Sequence, residues 1–178
     1  MNFINTNFKD LFLIKHKIFE DDRGFFKEKF KKNQLEKFLG REVNFCQENS
    51  VESNLYTLRG LHFQEDKFAQ SKLISISVGK ILDIAVDIRA ESKTYGKYFS
   101  HILCSDNHES IFIPRGFAHG YLTLSDTAII NYQVDNYYNS KMESGIPFDD
   151  NFLNIDWGID PCKFILSNKD KKYKDFQW

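Results

Sequence analysis

Two short segments of the chain concentrate side chains that could carry out chemistry. The first is LRGLHFQ, Leu58–Gln64, with QSKL, Gln70–Leu73, close behind it, and the second is IPRGFAHGY, Ile113–Tyr121. Each segment carries one histidine, and imidazole is suited both to proton transfer near neutral pH and to metal binding. The segments therefore point either to a metal site or to a proton-transfer site at His62 and His119.

The residues around His119 resemble the second half of the cupin metal motif, a P-x-G-x-x-H turn that leads into a strand. Cupin metal sites take further ligands from an H-x-H pair in the first half of the motif. At the matching place this chain reads His62-Phe63-Gln64, so a neutral amide replaces one imidazole. First-row divalent metals need several converging imidazole and carboxylate ligands. We therefore expect a barrel of this type without a catalytic metal.

Short segments with a period of two dominate the chain after one early helix. The helix is predicted at Lys32–Gly40, where apolar residues recur every three to four positions and a glycine occupies the C-terminal cap. The predicted strands are separated by Gly, Asn and Asp, and they cover Asn44–Glu48, Lys72–Val78, Lys80–Arg89, Gly96–Cys104, Ser110–Pro114, Gly120–Leu124 and Ala128–Val134. Many short, evenly spaced strands are typical of an all-β sandwich or barrel.

The predicted strand Lys80–Arg89 carries polar residues on one of its two faces. Alternation places Leu82, Ile84, Val86 and Ile88 on one face, and Ile81, Asp83, Ala85, Asp87 and Arg89 on the other. The second face either points to solvent or lines the interior of a barrel that holds a polar ligand. Periodicity leaves both interpretations open.

The composition is that of an ordinary globular protein, and we expect residues 1–178 to form one domain. With 24 Lys and Arg against 25 Asp and Glu, the formal net charge is -1, so neither nucleic acid nor a membrane is a predicted partner. No apolar stretch approaches the roughly 20 residues of a membrane-spanning helix. The first ten residues lack the pattern of a signal peptide. The cytoplasm is therefore the expected location.

The three cysteines, Cys46, Cys104 and Cys162, lie far apart and include no CxxC pair. An odd number at wide spacing argues against a disulfide framework and against a zinc–cysteine site. We expect buried apolar thiols.

Longer segments carry a pattern that covers nearly the whole chain. They are DDRGFFKEKF (Asp21–Phe30), FCQENS (Phe45–Ser50), LRGLHFQ, QSKL, GKILDIAVDIRAESKTYGKY (Gly79–Tyr98), IPRGFAHGYLTLSD (Ile113–Asp126), the pair Tyr132 and Tyr138, and SNKD (Ser167–Asp170). In this order they resemble the dTDP-4-dehydrorhamnose 3,5-epimerase family of sugar-nucleotide epimerases. The resemblance implies an all-β, cupin-like jelly-roll barrel with a few short helices. It also implies a cytoplasmic homodimer, without metal or cofactor, that acts on nucleotide-linked 4-keto-6-deoxy sugars.

Epimerisation beside a ketone agrees with the residue types present. A 4-keto group acidifies the protons at C3 and C5, so inversion needs a base on one face of the ring, an acid on the other and a group that stabilises the enolate oxygen. The resemblance implies that His62 is the base and that Asp170 orients it. It also implies that Tyr132 is the proton donor and that Lys72 stabilises the enolate. From the residues alone, each assignment has a structural alternative. The alternatives are an interior histidine for His62, a charged tail for Asp170, a core tyrosine for Tyr132 and a strand-edge lysine for Lys72.

The resemblance also implies a set of substrate-binding residues. The diphosphate is assigned to Arg23, Arg59 and His119, because a guanidinium makes paired contacts to phosphate. The full set is Arg23, Phe26, Glu28, Gln47, Asn49, Arg59, Lys72, His119, Tyr138, Glu143 and Lys169. In this family the Arg23–Glu28 arm reaches across the dimer, so a monomer would lack a complete nucleotide site.

Departures from the family pattern leave the exact substrate open. The loop Glu65–Ala69 lacks the usual Pro, Pro147–Asp150 replaces a Trp-Asn-Asp segment, and Gln133 replaces the Lys that often follows the donor tyrosine. A dTDP-linked hexose is the family default, and a GDP-linked sugar and inversion at C3 alone stay open. Two other functions also stay open: a non-catalytic sugar-nucleotide-binding jelly roll and a 3,4-ketoisomerase.

Overall fold

The computed structural model describes residues 1–174 and 176–178, and most of its regular structure is β-strand. The strands are β1 (Asn2–Asn5), β2 (Phe12–Lys15), β3 (Ile18–Asp21), β4 (Gly24–Lys27), β5 (Gln47–Asn54), β6 (Leu58–Gln64), β7 (Lys72–Val78), β8 (Lys80–Asp87), β9 (Tyr98–Cys104), β10 (Glu109–Ile113), β11 (Phe117–Thr123), β12 (Thr127–Val134) and β13 (Glu143–Gly145). The helix α1 spans Lys32–Leu39, and single 3₁₀ turns occur at Asp66–Phe68, Pro161–Lys163 and Asp170–Lys172. Within the described residues, no helix is both long and apolar enough to cross a membrane.

Two antiparallel sheets form the walls of a jelly-roll barrel. One sheet has the strand order β1-β2-β10-β7-β12-β5, and the other has the order β13-β6-β11-β8-β9. Most neighbours in each sheet are distant along the chain, as in the pairing of β11 with β8 and with β6. The predicted all-β jelly roll with a few short helices is confirmed.

The main core lies between the two sheets. Its members include Ile74 and Ile130 from the six-stranded sheet and Ile81 and Leu103 from the five-stranded sheet, and all four are buried. Both faces of β8 are covered. The face opposite Ile81 carries Ile84 and Val86, and these two residues belong to a second core. The inward face of β8 is the one that carries Asp83, so the polar face of this strand lines the barrel interior and does not point to solvent.

Separate layers cover the outer faces of the sheets. Helix α1 packs Leu35 against Phe12 and Phe112 of the six-stranded sheet. The chain that follows β13 covers the five-stranded sheet and buries Leu153 and Trp157 against it. This C-terminal layer matters for the site, because it also delivers Asp170 to the cavity described below.

The predicted elements agree with the structure best where a strong periodic pattern exists. The helix ends one residue before Gly40, whose left-handed conformation (φ 67°) and N–H bond to the Glu36 carbonyl close it. Strand β7 has the predicted bounds, and β8 is two residues shorter than predicted. The prediction of Asn44–Glu48 was wrong, since β5 begins at Gln47 and runs to Asn54.

The expectation of buried thiols was also wrong. Cys46 and Cys162 are exposed, Cys104 is partly exposed, and all three are free. Cys104 follows Leu103 of the main core in β9 and therefore lies on the other face of that strand, whereas Cys46 lies before β5 and Cys162 lies in a 3₁₀ turn.

Candidate active site

A cavity of about 300 Å³ opens between the two sheets and is lined by most of the residues that could do chemistry. The wall from the five-stranded sheet includes Arg59, His62, His119 and Tyr121, and the wall from the six-stranded sheet includes Val51, Lys72, Ile74, Ile130 and Tyr132. Ser167, Lys169 and Asp170 of the C-terminal layer complete the lining. The site is thus assembled from both sheets and from the chain that covers one of them.

His62 and Asp170 form a tight histidine–carboxylate pair. The imidazole Nε2 lies 2.5 Å from Oδ1 of Asp170, whose side chain is only 3% exposed. The second carboxylate oxygen accepts a hydrogen bond of 2.8 Å from the Ser167 hydroxyl. Burial alone would raise the pKa of Asp170, but the contacts with His62 and Ser167 outweigh it and lower the pKa below its ordinary value. The ionised carboxylate therefore holds the Nε2–H tautomer of His62 and leaves Nδ1 free to accept a proton.

Tyr132 reaches the cavity from the opposite sheet. It lies in β12 between Asn49 of β5 and Ile74 of β7. Burial, together with the negative charge of Glu143, raises its pKa above 10.0 against the opposing effect of Arg59. The phenol is therefore protonated at neutral pH and can donate that proton.

Lys72 is the first residue of β7 and contributes a cation to the cavity. Burial lowers its pKa from 10.5 to about 8, although the carboxylates of Asp83 and Glu143 favour the charged form. An ammonium group in such a partly desolvated place stabilises a developing oxyanion more strongly than it would in water.

His119 lies directly opposite His62 in the pairing of β11 with β6 and has a carboxylate partner of its own. Its Nε2 is 2.8 Å from Oδ2 of Asp83, which is fully buried. Burial lowers the pKa of His119 and the Asp83 carboxylate counteracts this effect. Two histidines on adjacent strands thus line the cavity, and each is paired with a carboxylate.

Arg59 is held at the cavity edge by neighbours that sequence patterns did not indicate. Its Nε donates to the Ser53 hydroxyl at 3.1 Å, and its Nη2 donates to the Glu52 carbonyl at 3.3 Å. The same Ser53 oxygen lies 3.1 Å from the Tyr121 hydroxyl. These two hydrogen bonds fix the direction of the Arg59 guanidinium and leave its other N–H groups to contact a ligand.

A second polar group extends from the cavity toward the surface. Glu143 forms an ion pair with Lys169 and accepts a hydrogen bond of 2.7 Å from the Tyr138 hydroxyl. Gln47 and Asn49 lie next to this group on β5, joined by a hydrogen bond of 2.9 Å. The Tyr138 backbone N–H lies 3.5 Å from Oε1 of Gln47, so these five predicted binding residues form one connected surface.

The remaining predicted binding residues lie apart from the cavity. Arg23 and Phe26 belong to the hairpin of β3 and β4, which forms a separate two-stranded sheet. The Arg23 side chain is 88% exposed and paired with Asp21, and Phe26 is 63% exposed. Glu28 follows the hairpin and pairs with Lys31. The fold of a single chain thus brings eight of the eleven predicted binding residues to one region and leaves Arg23, Phe26 and Glu28 outside it.

The donor set around the histidines does not resemble a metal site. Gln64, which replaces the second histidine of an H-x-H pair, is buried and its Oε1 accepts a hydrogen bond from the Asn139 N–H. In residues 1–174 and 176–178, no group of three or more His, Cys, Asp or Glu side chains could hold a metal ion. The Nε2 atoms of both histidines are already directed at carboxylates.

Four residues of this site were missed by the sequence interpretation: Ser53, Asp83, Tyr121 and Ser167. Asp83 was visible as a polar residue in an apolar strand, although its direction was left open. Tyr121 and Ser167 lie in segments that were singled out for their histidine and aspartate. Ser53 had no signal, because its role depends on the pairing of β5 with β12.

These features define a class of protein: a jelly-roll barrel with an acid–base pair divided between its two sheets. Comparison with known proteins narrows the class. The family model for dTDP-4-dehydrorhamnose 3,5-epimerase matches residues 5–177. The enzyme of that name from Escherichia coli is 42% identical over 172 residues, which cover 97% of this chain and 92% of the relative.

Solved structures give the same result. The crystal structure of dTDP-4-dehydrorhamnose 3,5-epimerase from Elizabethkingia anophelis superposes with a TM-score of 0.95 at 41% identity, covering 99% of this chain and 96% of that one. The epimerase from Legionella pneumophila in complex with dTDP-4-keto-L-rhamnose gives a TM-score of 0.93 at 40% identity, covering 98% of this chain and 92% of that one. The chain belongs to the dTDP-4-dehydrorhamnose 3,5-epimerase family and is a sugar-nucleotide epimerase.

Proposed function

We propose that this enzyme inverts C3 and C5 of dTDP-4-dehydro-6-deoxyglucose through an enolate, in the synthesis of a deoxysugar for a surface polysaccharide. The observation that carries the proposal is the position of His62 and Tyr132 on opposite sheets that face one cavity. A base and an acid on opposite faces of a sugar ring are what an inversion requires. The names of the relatives support both the dTDP group and the two centres.

His62 acts as the base. Its Nδ1 removes the proton from a carbon beside the ketone, and the electron pair of that C–H bond becomes the enolate double bond, which places negative charge on O4. Asp170 stabilises the imidazolium that forms, because its buried carboxylate lies 2.5 Å from Nε2. The imidazolium returns its proton to solvent after each inversion.

Tyr132 acts as the acid on the other face of the ring. It donates its phenolic proton to the enolate carbon, and the phenolate is then reprotonated from solvent. The raised pKa of Tyr132 keeps the donor protonated at neutral pH. Lys72 supports the O4 oxyanion with its ammonium group, and neither a redox cofactor nor a metal enters any step.

The nucleotide diphosphate binds at the mouth of the cavity, and the nucleoside extends along the connected polar surface. Arg59 and His119 contact the diphosphate, and the Lys169 ammonium lies in the same lining. The exposed ring of Tyr138 stacks on the base. Gln47, Asn49 and Glu143 hydrogen-bond to the base and the ribose.

The active enzyme is a homodimer in which the β3–β4 hairpin of one subunit completes the nucleotide site of the other. The support is the exposure of Phe19, Phe25 and Phe26 on this hairpin, at 46%, 56% and 63%. Exposed aromatic residues of this density mark an interaction surface. Arg23 and Glu28 then reach the partner's diphosphate and base, which explains why they lie apart from the cavity of their own chain.

The cytoplasm is the proposed location. Cys46, Cys104 and Cys162 are all free and at least partly exposed. Unpaired accessible thiols suit a reducing compartment, because an oxidising one favours disulfides.

The proposal is tested by incubating the protein with dTDP-4-dehydro-6-deoxyglucose in D2O and following the sugar by proton NMR. Deuterium at C3 and C5 together with the doubly inverted product is the expected result, and the GDP-linked sugar serves as the comparison substrate. Binding without exchange would indicate a non-catalytic module, and a 3-keto product would indicate a ketoisomerase. The His62→Asn variant is the control for adventitious exchange.

A further inference from the structure

Asp83 is a buried carboxylate whose second oxygen has no partner. The residue is fully buried in the middle of β8, and Oδ2 accepts a hydrogen bond from His119 at 2.8 Å. Among the residues that the structure describes, Oδ1 has no hydrogen-bond partner. A buried, half-satisfied carboxylate is costly to the fold. Its presence therefore calls for a functional explanation.

The charges around Asp83 suggest what it does. It faces His119 and Tyr121 of β11 and acts electrostatically on Lys72 of β7 across the barrel. Asp83 does not line the cavity itself, whereas His119 and Lys72 both do. Any effect on the substrate must therefore pass through these two residues.

We propose that Asp83 is a positioning residue that orients the His119 imidazole in the cavity wall and favours the ammonium form of Lys72 across the barrel. This inference rests on the proposed function, since the Lys72 ammonium stabilises the enolate. With its Nε2–H directed at Asp83, His119 presents Nδ1 to the cavity. The negative charge of Asp83 favours the ammonium of Lys72.

Other charged groups also lie near Lys72. Glu143 of β13 also favours the charged form of Lys72, and His119 lies on the same side of the barrel. A smaller cavity on the other side of Lys72 is lined by Glu65, Asp66 and Arg89. Asp83 combines full burial with a direct hydrogen bond to His119.

The test is Asp83→Asn, which keeps the shape and an acceptor oxygen but removes the charge. The pKa of Lys72 is about 8 in the wild type, and it should fall in the variant. Protonated Lys72 is required for turnover, so activity declines as pH rises through that pKa. The alkaline limb of the kcat profile therefore moves to lower pH, and a midpoint one pH unit lower reduces kcat at pH 8 about fivefold.

The matched control is Asp87→Asn on the same strand. Asp87 is equally buried, but it binds Arg89, Ser92 and Thr94 and not the cavity residues. This variant should unfold at a lower temperature while its alkaline limb stays in place. A limb that moves equally in both variants, or in neither, would overturn the role of Asp83.

A readout without turnover separates this inference from the proposed function. The Lys72 side chain is titrated by carbon NMR at Cε in wild type and in Asp83→Asn, with Lys72→Met to assign the signal. A lower midpoint in Asp83→Asn supports the electrostatic link even if no tested sugar is epimerised. If the variant fails to fold, the coupling is read from His119→Asn and Lys72→Met in the background of each other, where independent effects on kcat/KM for the dTDP-linked sugar would refute a joint role of the two residues.

Discussion

Replacing Tyr132 by Phe should separate proton exchange from inversion. The variant keeps the base, the Lys72 cation and the diphosphate contacts, so the enolate still forms. Without the phenol, only the protonated His62 remains to return a proton, and it does so on the original face. The sugar is then deuterated in D2O without being inverted.

The structure sets the size of the two effects. No hydrogen bond of the Tyr132 hydroxyl is seen among the described residues, so its removal should change the free energy of unfolding by less than about 1 kcal/mol. General acid catalysis contributes roughly 10²–10⁴-fold. Inversion should therefore slow by about that factor, while deuterium exchange slows far less.

The assay follows both processes in one tube. Proton NMR of dTDP-4-dehydro-6-deoxyglucose in D2O gives the loss of the C3 and C5 signals and, separately, the signals of the inverted sugar. Thermal unfolding of the variant is measured alongside to confirm that the protein is intact. The carbon that exchanges first also identifies the centre that is handled first.

Tyr121→Phe is the matched control. This tyrosine lines the same cavity, but its hydroxyl is bonded to Ser53. Losing that bond should cost about 1 kcal/mol of stability and leave inversion faster than in Tyr132→Phe. If Tyr132→Phe inverts the sugar at the wild-type rate, the assignment of the donor is wrong.

Four further outcomes follow from the site. His62→Asn should lower kcat by about 10²–10⁴-fold and leave dTDP affinity close to that of the wild type, as calorimetry would check. Arg59→Ala should weaken dTDP binding by about 1.5–3 kcal/mol, and an affinity that does not change would argue against a phosphate contact. Because Gln64 replaces a metal ligand, exhaustive chelation should leave turnover intact, and recovery that depends on one added metal would contradict this. The pKa of Asp170 in the folded protein lies below 3.8, so its stabilising contribution is complete above that pH and is lost as pH falls through the lowered value. Asp170→Asn should therefore be less stable than wild type at pH 6, with the difference shrinking in acid, as denaturant titrations at both pH values would measure.

The fold was predictable where a period of two was strong. Lys72–Val78 forms β7 with the predicted bounds, because its alternating Ile and Ser residues match one covered face. The strands β2 to β4 were not predicted, because Leu11–Ile14 is a continuous apolar run without alternation and the hairpin Ile18–Lys27 is largely exposed. Local periodicity carries little information in either case.

The site was predictable to the extent that its residues lie in recognisable segments. His62, Lys72 and Tyr132 fall at the cavity, as the resemblance implied. The pairing of His62 with Asp170 joins residues 108 positions apart through a 3₁₀ turn in a Lys-rich tail, which local patterns cannot reveal. Asp83 illustrates a second limit. The sequence shows a polar residue in an apolar strand, but it does not show which face of β8 the barrel encloses.

The C-terminal layer makes the active site less resistant to thermal unfolding than the barrel. Ile165 is tied to the chain at the start of β6 by two backbone hydrogen bonds: its N–H donates to the Tyr56 carbonyl, and its carbonyl accepts from the Leu58 N–H. Asp170 lies five residues further on and belongs to neither sheet. Segments that lie outside the paired strands often open at a lower free energy than the global unfolding of a protein. On gentle heating, His62 should therefore lose its contact with the Asp170 carboxylate while both sheets stay paired. The enzyme should then be inactivated reversibly at a temperature below that of global unfolding.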